Sequence, residues 1–418
     1  MLANRIRIIE KMEQFELDIL IVTYPENVCY LSNYQSHKPY LWRFFDTFSY
    51  AIFPRRDDIA PALIIPVKDV TWEARFPSWF KEVYTFGNPS YILSSGETLG
   101  KEENKFKKIL DDKNKNAKSA GECIVKVLKK MGIKNARIGL DEKNIQGAIR
   151  EKIITDLPNI NLIDAFELFR LIRMVKTPEE IERLKIVGLK NERAITSVLN
   201  KVSKNISEDE LTQYYLENIA KEGAIFDFWN SSAGRNSSMS IMSSGHFSPY
   251  SEYKLKKGDI FRFDGGCIYN KYHADFGGCA VLGTPNKKQK KCFKAIESGM
   301  ERAKELLQPG VIPSKIFQET VTAVEKAGLK DYSKIATNCG HGIGIESRDY
   351  PFICKPVKAD SPFLPGNYDV PIEENMVINI EVPYKELGLG GFQIEYTFLV
   401  GKDGCKKLYP HERDMYIL

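Results

Sequence analysis

Gly258-Asp-Ile-Phe-Arg-Phe-Asp-Gly-Gly-Cys-Ile-Tyr-Asn-Lys-Tyr-His-Ala-Asp275 alternates in polarity at both ends, over Ile260–Asp264 and over Tyr272–Asp275. That is the pattern of a β-hairpin. A turn centred between Tyr269 and Asn270 pairs Asp264 directly with Asp275, about 5 Å apart on one face. Two carboxylates so placed repel unless a proton or a cation lies between them. Further on, Val377-Ile-Asn-Ile-Glu381 and Gly391-Phe-Gln-Ile-Glu395 are again strand-like and flank a glycine-rich loop, so Glu381 and Glu395 can face each other. Asn338-Cys-Gly-His341-Gly-Ile-Gly344 adds a histidine among glycines, where backbone can approach a ligand closely. Four carboxylates and one imidazole suit two divalent ions of the Mn, Co, Fe or Zn kind, roughly 3.5–4 Å apart. Any one of these pairs alone reads as an ordinary solvated turn or loop; the joint pattern, set in apolar strands where unpaired charge is costly, carries the metal reading.

Around this stretch the chain has the composition of ordinary globular protein: 418 residues, 43% apolar, 11% aromatic and 28% charged. Disordered, collagen-like and coiled-coil readings are excluded. A single core stops growing at roughly 250–300 residues, so two domains are expected. A net charge of +5, without a dominant arginine cluster, argues against a nucleic-acid partner. Eight cysteines without a Cys-x-x-Cys pair read as reduced thiols of a cytoplasmic protein. The first residues, Met1-Leu-Ala-Asn-Arg-Ile-Arg-Ile-Ile-Glu-Lys, mix charge into every turn and lack a signal-peptide core, and no run approaches the ~18 apolar residues of a membrane span.

Residues 1–172 alternate helix and strand: a helix from Asn4 to about Glu16, then strands at Asp18–Thr23, Tyr50–Phe53, Ala62–Ile65 and Arg137–Leu140. Lys101–Lys118 reads as an exposed, charge-interleaved helix or excursion. Leu171–Lys176 reads as a linker, and Thr177-Pro-Glu-Glu180 carries an N-cap, a proline at the first helical position and a capping glutamate. A second domain, 177–418, therefore starts with a long helix. Phe293, Ile296, Met300, Ala303 and Leu307 mark a helix that stops at Pro309-Gly310, and Ile316–Ala327 marks another.

The order Gly258–Asp264 with Asp275, Gly340-His-Gly-Ile-Gly344, Ile380-Glu381 and Ile394-Glu395 resembles the five metal ligands of the pita-bread metallopeptidase superfamily. Leu17-Asp-Ile-Leu-Ile-Val-Thr-Tyr-Pro-Glu-Asn-Val-Cys-Tyr-Leu31 is similar to its creatinase/prolidase-type N-terminal domain, which narrows the resemblance to aminopeptidase P, prolidase and creatinase. The resemblance implies an α+β protein: a C-terminal pita-bread (creatinase/aminopeptidase) fold, two pseudo-symmetric halves wrapping a curved antiparallel sheet, with an N-terminal α/β creatinase-like domain. It implies metal ligation by Asp264, Asp275, His341, Glu381 and Glu395, two divalent ions with manganese preferred and cobalt, iron or zinc as alternatives, and a homodimer. The implied activity is Xaa-Pro hydrolysis of a small peptide or small amide by a metal-bridging hydroxide, with Glu381 as general base.

Departures from the family pattern matter too. The peptidases carry a His-Glu-x-Pro run where this chain has Arg348-Asp349-Tyr350-Pro351, so Arg348 and Asp349 become candidate substrate residues, Arg348 also catalytic. The other reading is a rim arginine paired with Asp349. Gln393 and Tyr396 stand where an arginine and an aspartate flank the last glutamate, a neutral replacement expected to weaken or retune metal binding. His246, beside Phe247, is the candidate for the upstream catalytic and substrate-binding histidine. His273 alternates to the face opposite Asp275 and reads as structural, and the loop with His37 and Trp42 reads either as a reach toward a partner's site or as packing on its own domain. These departures keep open a hydrolase or lyase of a small non-peptide metabolite, of the creatinase, ectoine hydrolase or dimethylsulfoniopropionate lyase type. Retention of all five ligands argues against a binding module that has lost its chemistry.

Overall fold

In the computed structural model the described residues are 2–35, 48–89, 91–239, 253–358, 361–364, 368–410 and 415–418. They form two units, Met1–Ile172 with Ser361–Phe363, and Arg173–Asp360 with Leu364–Leu418. The short segment 361–363 thus joins the first unit although it lies far along the chain. The division falls inside Leu171–Lys176, the stretch read as a linker. A helix, Phe166–Arg173, runs through its first half, and Ile172, Arg173, Met174 and Lys176 are all buried.

The first unit is a seven-stranded mixed sheet. Its strands are β1 (Ile19–Val22), β2 (Tyr50–Pro54), β3 (Ala62–Pro66), β4 (Glu82–Phe86), β5 (Asn116–Ala117), β6 (Arg137–Leu140) and β7 (Asn161–Asp164), in the order β5-β4-β3-β2-β1-β6-β7. β1 is buried along its whole length, as continuous apolar runs predict for central strands covered on both faces. Ile19, Ile21, Ile52, Ile64 and Ile138 pack with Cys123, Ile124 and Leu128 of helix Ala120–Lys130 into one core. Lys101–Asp111 is the charged helix expected at the edge; Leu110 is its one buried residue.

The first long helix of the second unit is capped by Thr177, whose hydroxyl accepts from the Glu180 amide while the Glu180 carboxylate accepts from the Thr177 amide. Such a box is worth about 1 kcal/mol, and it starts the 22-residue helix Pro178–Leu199. Helices Lys287–Leu306 and Pro313–Lys326 follow where the apolar periodicity places them. Two sheets form the rest of the frame. The first combines β8 (Ile225–Ala233), β9 (Ile260–Tyr269), β10 (Tyr272–Val281) and β18 (Tyr416–Ile417) in the order β18-β10-β9-β8. The second combines β11 (Asn338–Gly342), β12 (Asp349–Cys354), β13 (Val377–Glu381), β16 (Glu395–Gly401) and β17 (Gly404–Lys407) in the order β12-β11-β13-β16-β17. A hairpin of β14 (Tyr384–Glu386) and β15 (Gly390–Phe392) stands between β13 and β16 in the chain. All pairings are antiparallel except β10 with β18.

The β9–β10 hairpin corrects the predicted register. Tyr269 pairs with Tyr272, and the two-residue turn is Asn270-Lys271, both with left-handed backbone at φ 48° and 70°. That is the backbone of a tight hairpin turn whose twist matches the strands. The turn therefore centres one residue later than expected. Asp264 lies opposite Gly277, and Asp275 opposite Gly266, so the two aspartates are diagonal neighbours on the same face rather than a direct pair.

Candidate metal centre

β9 and β10 present Asp264 and Asp275; β11 presents His341; β13 and β16 present Glu381 and Glu395, which do pair directly. One carboxylate oxygen from each of Asp264, Asp275 and Glu395 lies within 4.8 Å of the others. His341 Nε2 is 3.3 Å from Asp275 Oδ2. Its Nδ1 is 2.9 Å from the Gly342 carbonyl, and a proton donated there leaves Nε2 as the bare ligand atom. Gly340, at φ 144°, is the residue that lets this strand in: a Cβ there would stand 2.2 Å from the Asn379 carbonyl oxygen of β13.

The electrostatics are those of crowded, desolvated carboxylates. Burial first, then the charges of Asp275 and Glu381, push the Asp264 carboxyl up to about 8. Burial, followed by Asp275 and Asp264, holds the Glu395 carboxyl well above the usual range. Burial alone lowers the His341 imidazole, but Asp275 and Glu381 outweigh it and the net shift is upward. Asp264 Oδ1, Asp275 Oδ1 and His341 Nε2 are all buried and make no hydrogen bond among the described residues. Buried polar atoms are normally satisfied, so three orphans in one cluster mark a missing partner. A set of carboxylate oxygens with one imidazole nitrogen fits divalent cations as that partner.

Both Glu395 oxygens are held. Asn379 Nδ2 donates to Oε1 at 2.5 Å and Gln393 Nε2 donates to Oε2 at 2.5 Å. Behind Asn379, its own Oδ1 accepts from the Thr397 hydroxyl at 3.2 Å, and Thr397 Oγ1 lies 3.0 Å from the Tyr409 hydroxyl. Tyr409 reaches this position across Gly188, where a Cβ would be 2.2 Å from its ring. On the far side of β9, Asn191 donates to the Gly265 carbonyl at 2.7 Å and accepts from the Tyr215 hydroxyl.

The model of Metallopeptidase family M24 matches residues 182–402, more than half of the chain and all five of these residues. The chain belongs to metallopeptidase family M24. Residues 5–175 match the Creatinase/Prolidase N-terminal domain. Among curated relatives of this M24 chain, an Xaa-Pro dipeptidase of Pyrococcus furiosus is 26% identical over 65% of the chain and 74% of its own length. The Pyrococcus furiosus prolidase structure matches 97% of the chain and all of its own at a TM-score of 0.71 and 20% identity. An X-Pro aminopeptidase of Thermotoga maritima matches 98% of the chain and all of its own at 0.72 and 20%. At these identities the structures establish shared fold: a creatinase-type N-terminal domain followed by a pita-bread domain.

The remaining sequence candidates fare differently. Asp349 is fully buried: its Oδ2 accepts from Arg173 Nε at 3.2 Å, and its Oδ1 accepts from the Tyr350 amide. Arg173, itself 1% exposed, also donates to Glu346 at 2.6 Å. This corrects both readings of Asp349, as a substrate contact and as the partner of Arg348. Arg348 is exposed and forms no ion pair among the described residues. His273 binds Asp227 at 2.7 Å through Nδ1. His246, Phe247, His37 and Trp42 lie outside the described residues.

Sequence reasoning missed three groups. Arg262, two residues before Asp264 and so on its face by strand alternation, was visible as a signal. Asn379 lies on the strand of Glu381 but was not singled out. Lys385, whose ammonium burial and the neighbouring Arg262 lower to about 8, with Glu381 and Asp264 opposing, had no signal beyond its place in the glycine loop.

Proposed function

We propose that this chain is a dinuclear metal-dependent hydrolase of Xaa-Pro bonds, of the aminopeptidase P or prolidase type. The observation that carries the metal reading is the convergence of three unsatisfied buried ligand atoms on Asp264, Asp275 and His341 beside Glu381 and Glu395. Xaa-Pro selectivity rests on the likeness to an Xaa-Pro dipeptidase and an X-Pro aminopeptidase. Asp264, Asp275, His341, Glu381 and Glu395 would hold the cations, manganese preferred, in a cytoplasmic homodimer.

Divalent cations held there would lower the pKa of a water and polarise a carbonyl. Glu381 would take a proton from the attacking water and return it to the leaving proline nitrogen, since the group that acts as base in one direction serves as acid in the next. Asn379 and Gln393 keep Glu395 fixed through this proton traffic, so the ligand frame does not reorganise. Arg348, exposed and without an ion pair among the described residues, is proposed to grip a substrate carboxylate or donate to the oxyanion as a planar fork. From sequence position alone, His246 is its companion.

A second reading, hydrolysis or lysis of a small non-peptide metabolite, is favoured by Arg348 in place of the peptidase histidine. The test is release of proline from a panel of Xaa-Pro dipeptides, and of the N-terminal residue from longer Xaa-Pro peptides, after chelation and after Mn or Co add-back. Metal-restored release supports the peptidase. No release from any of them, with turnover of a metabolite from a parallel panel, overturns it in favour of the second reading.

A further inference from the structure

Arg262 on β9 donates through Nε, at 2.8 Å, and Nη2, at 2.5 Å, to the single oxygen Oε1 of Gln393. Gln393 is fully buried, and its Nε2 donates to Glu395 Oε2 at 2.5 Å. The guanidinium leaves the amide no choice of orientation: with two N–H donors on the oxygen side, the NH2 group must face Glu395. Room for the bridge comes from Gly277, opposite Asp264, because a Cβ there would stand 2.2 Å from both Gln393 Nε2 and Glu395 Oε2.

We propose that Arg262, Gln393 and Gly277 form a positioning relay that orients Glu395 and delivers one positive charge to the back of the metal centre. The neutral residue at 393 does not strip the site of its cationic support, as the sequence alone suggested. It transmits support from an arginine 131 residues earlier. The inference rests on the metal reading above.

A neutral amide makes a better relay here than a second charge. Arginine at 393 would meet Arg262 in a half-buried space, and glutamate would face Glu395. Orienting partners of metal ligands typically govern about 10–100-fold in metal affinity. Arg262 and Gln393 should act as one unit, which distinguishes a relay from two independent structural contacts.

The experiment is calorimetric titration of Mn2+ into the chelator-stripped full-length chain, for wild type, Arg262→Met, Gln393→Met, the double variant and Arg262→Lys. Thermal melting of each stripped protein runs alongside. The relay predicts that each single methionine variant weakens Mn2+ binding by about tenfold or more, that the double variant is no weaker than either single, and that Arg262→Lys recovers part of the loss. Wild-type affinity in the singles, or losses that multiply in the double, overturns it. Should Gln393→Met fail to fold, Arg262→Met against Arg262→Lys decides: both equal to wild type overturns the relay. A wild-type chain that takes up no Mn2+ overturns the metal reading itself, a different failure from variants that bind as wild type does.

Discussion

Glu381 and Glu395 stand directly opposite each other on adjacent antiparallel strands, both buried, with no basic side chain among the described residues hydrogen-bonded to either. Like charges in that position destabilise a sheet, and burial removes the water that would screen them. The fold tolerates them only with protons or cations between them. The fold thus trades stability for a binding site.

Chelation should lower the melting temperature at neutral pH, and Mn2+ or Co2+ should restore it, because a ligand bound only by the folded state stabilises it by mass action. Glu395→Gln should raise the stability of the stripped protein while losing the response to added ion. Differential scanning calorimetry with and without chelator reads both.

The stripped protein should be most stable in mild acid. The Asp264 carboxyl, raised by burial, Asp275 and Glu381 to about 8 from an ordinary value of 3.8, holds its proton longer folded than unfolded. Its contribution is therefore complete below about pH 4 and lost as pH rises through about 8. Urea unfolding at about pH 5.5 and about pH 8.5 should show this fall, and Asp264→Asn should flatten it. A stripped wild type whose pH dependence matches that of Asp264→Asn would contradict the account.

Arg173→Met should destabilise the fold by about 3–5 kcal/mol, since it leaves two buried carboxylates, Asp349 and Glu346, without their cation. Arg348→Ala should leave stability unchanged and metal content intact, and lower turnover substantially. Equal stability losses for the two variants, in chemical denaturation, would show that the roles assigned to them are wrong.

Gly188→Ala places a Cβ 2.2 Å from the Tyr409 ring. Overpacking of this kind costs about 1–3 kcal/mol, and it should also weaken Mn2+ binding, because Tyr409 anchors the Thr397–Asn379–Glu395 chain. Thermal melting and titration of the same sample check the two effects together.

Much of this was legible from the residues. The capping box at Thr177 and the apolar spacing of Phe293 to Leu307 place their helices because both signals are local in the chain. Glu381 and Glu395 could be paired because a period of two fixes which face a strand residue takes. The same parity kept Asp264 and Asp275 on one face although the register was one turn position off; the left-handed backbone at Asn270 and Lys271 decided it, and neither residue announces that as a glycine would. What could not be read were partnerships across long separations. Arg173 lies 176 residues from Asp349 and Arg262 lies 131 from Gln393. No local pattern distinguishes an arginine that will be buried against a carboxylate from one left in water.

Anomalous scattering from crystals grown with Mn2+, recorded across the manganese absorption edge, tests the central claim most directly. The account predicts two peaks among Asp264, Asp275, His341, Glu381 and Glu395, with Glu395 still held by Asn379 and Gln393. Density without an anomalous signal there, or manganese found only at other residues, would contradict it.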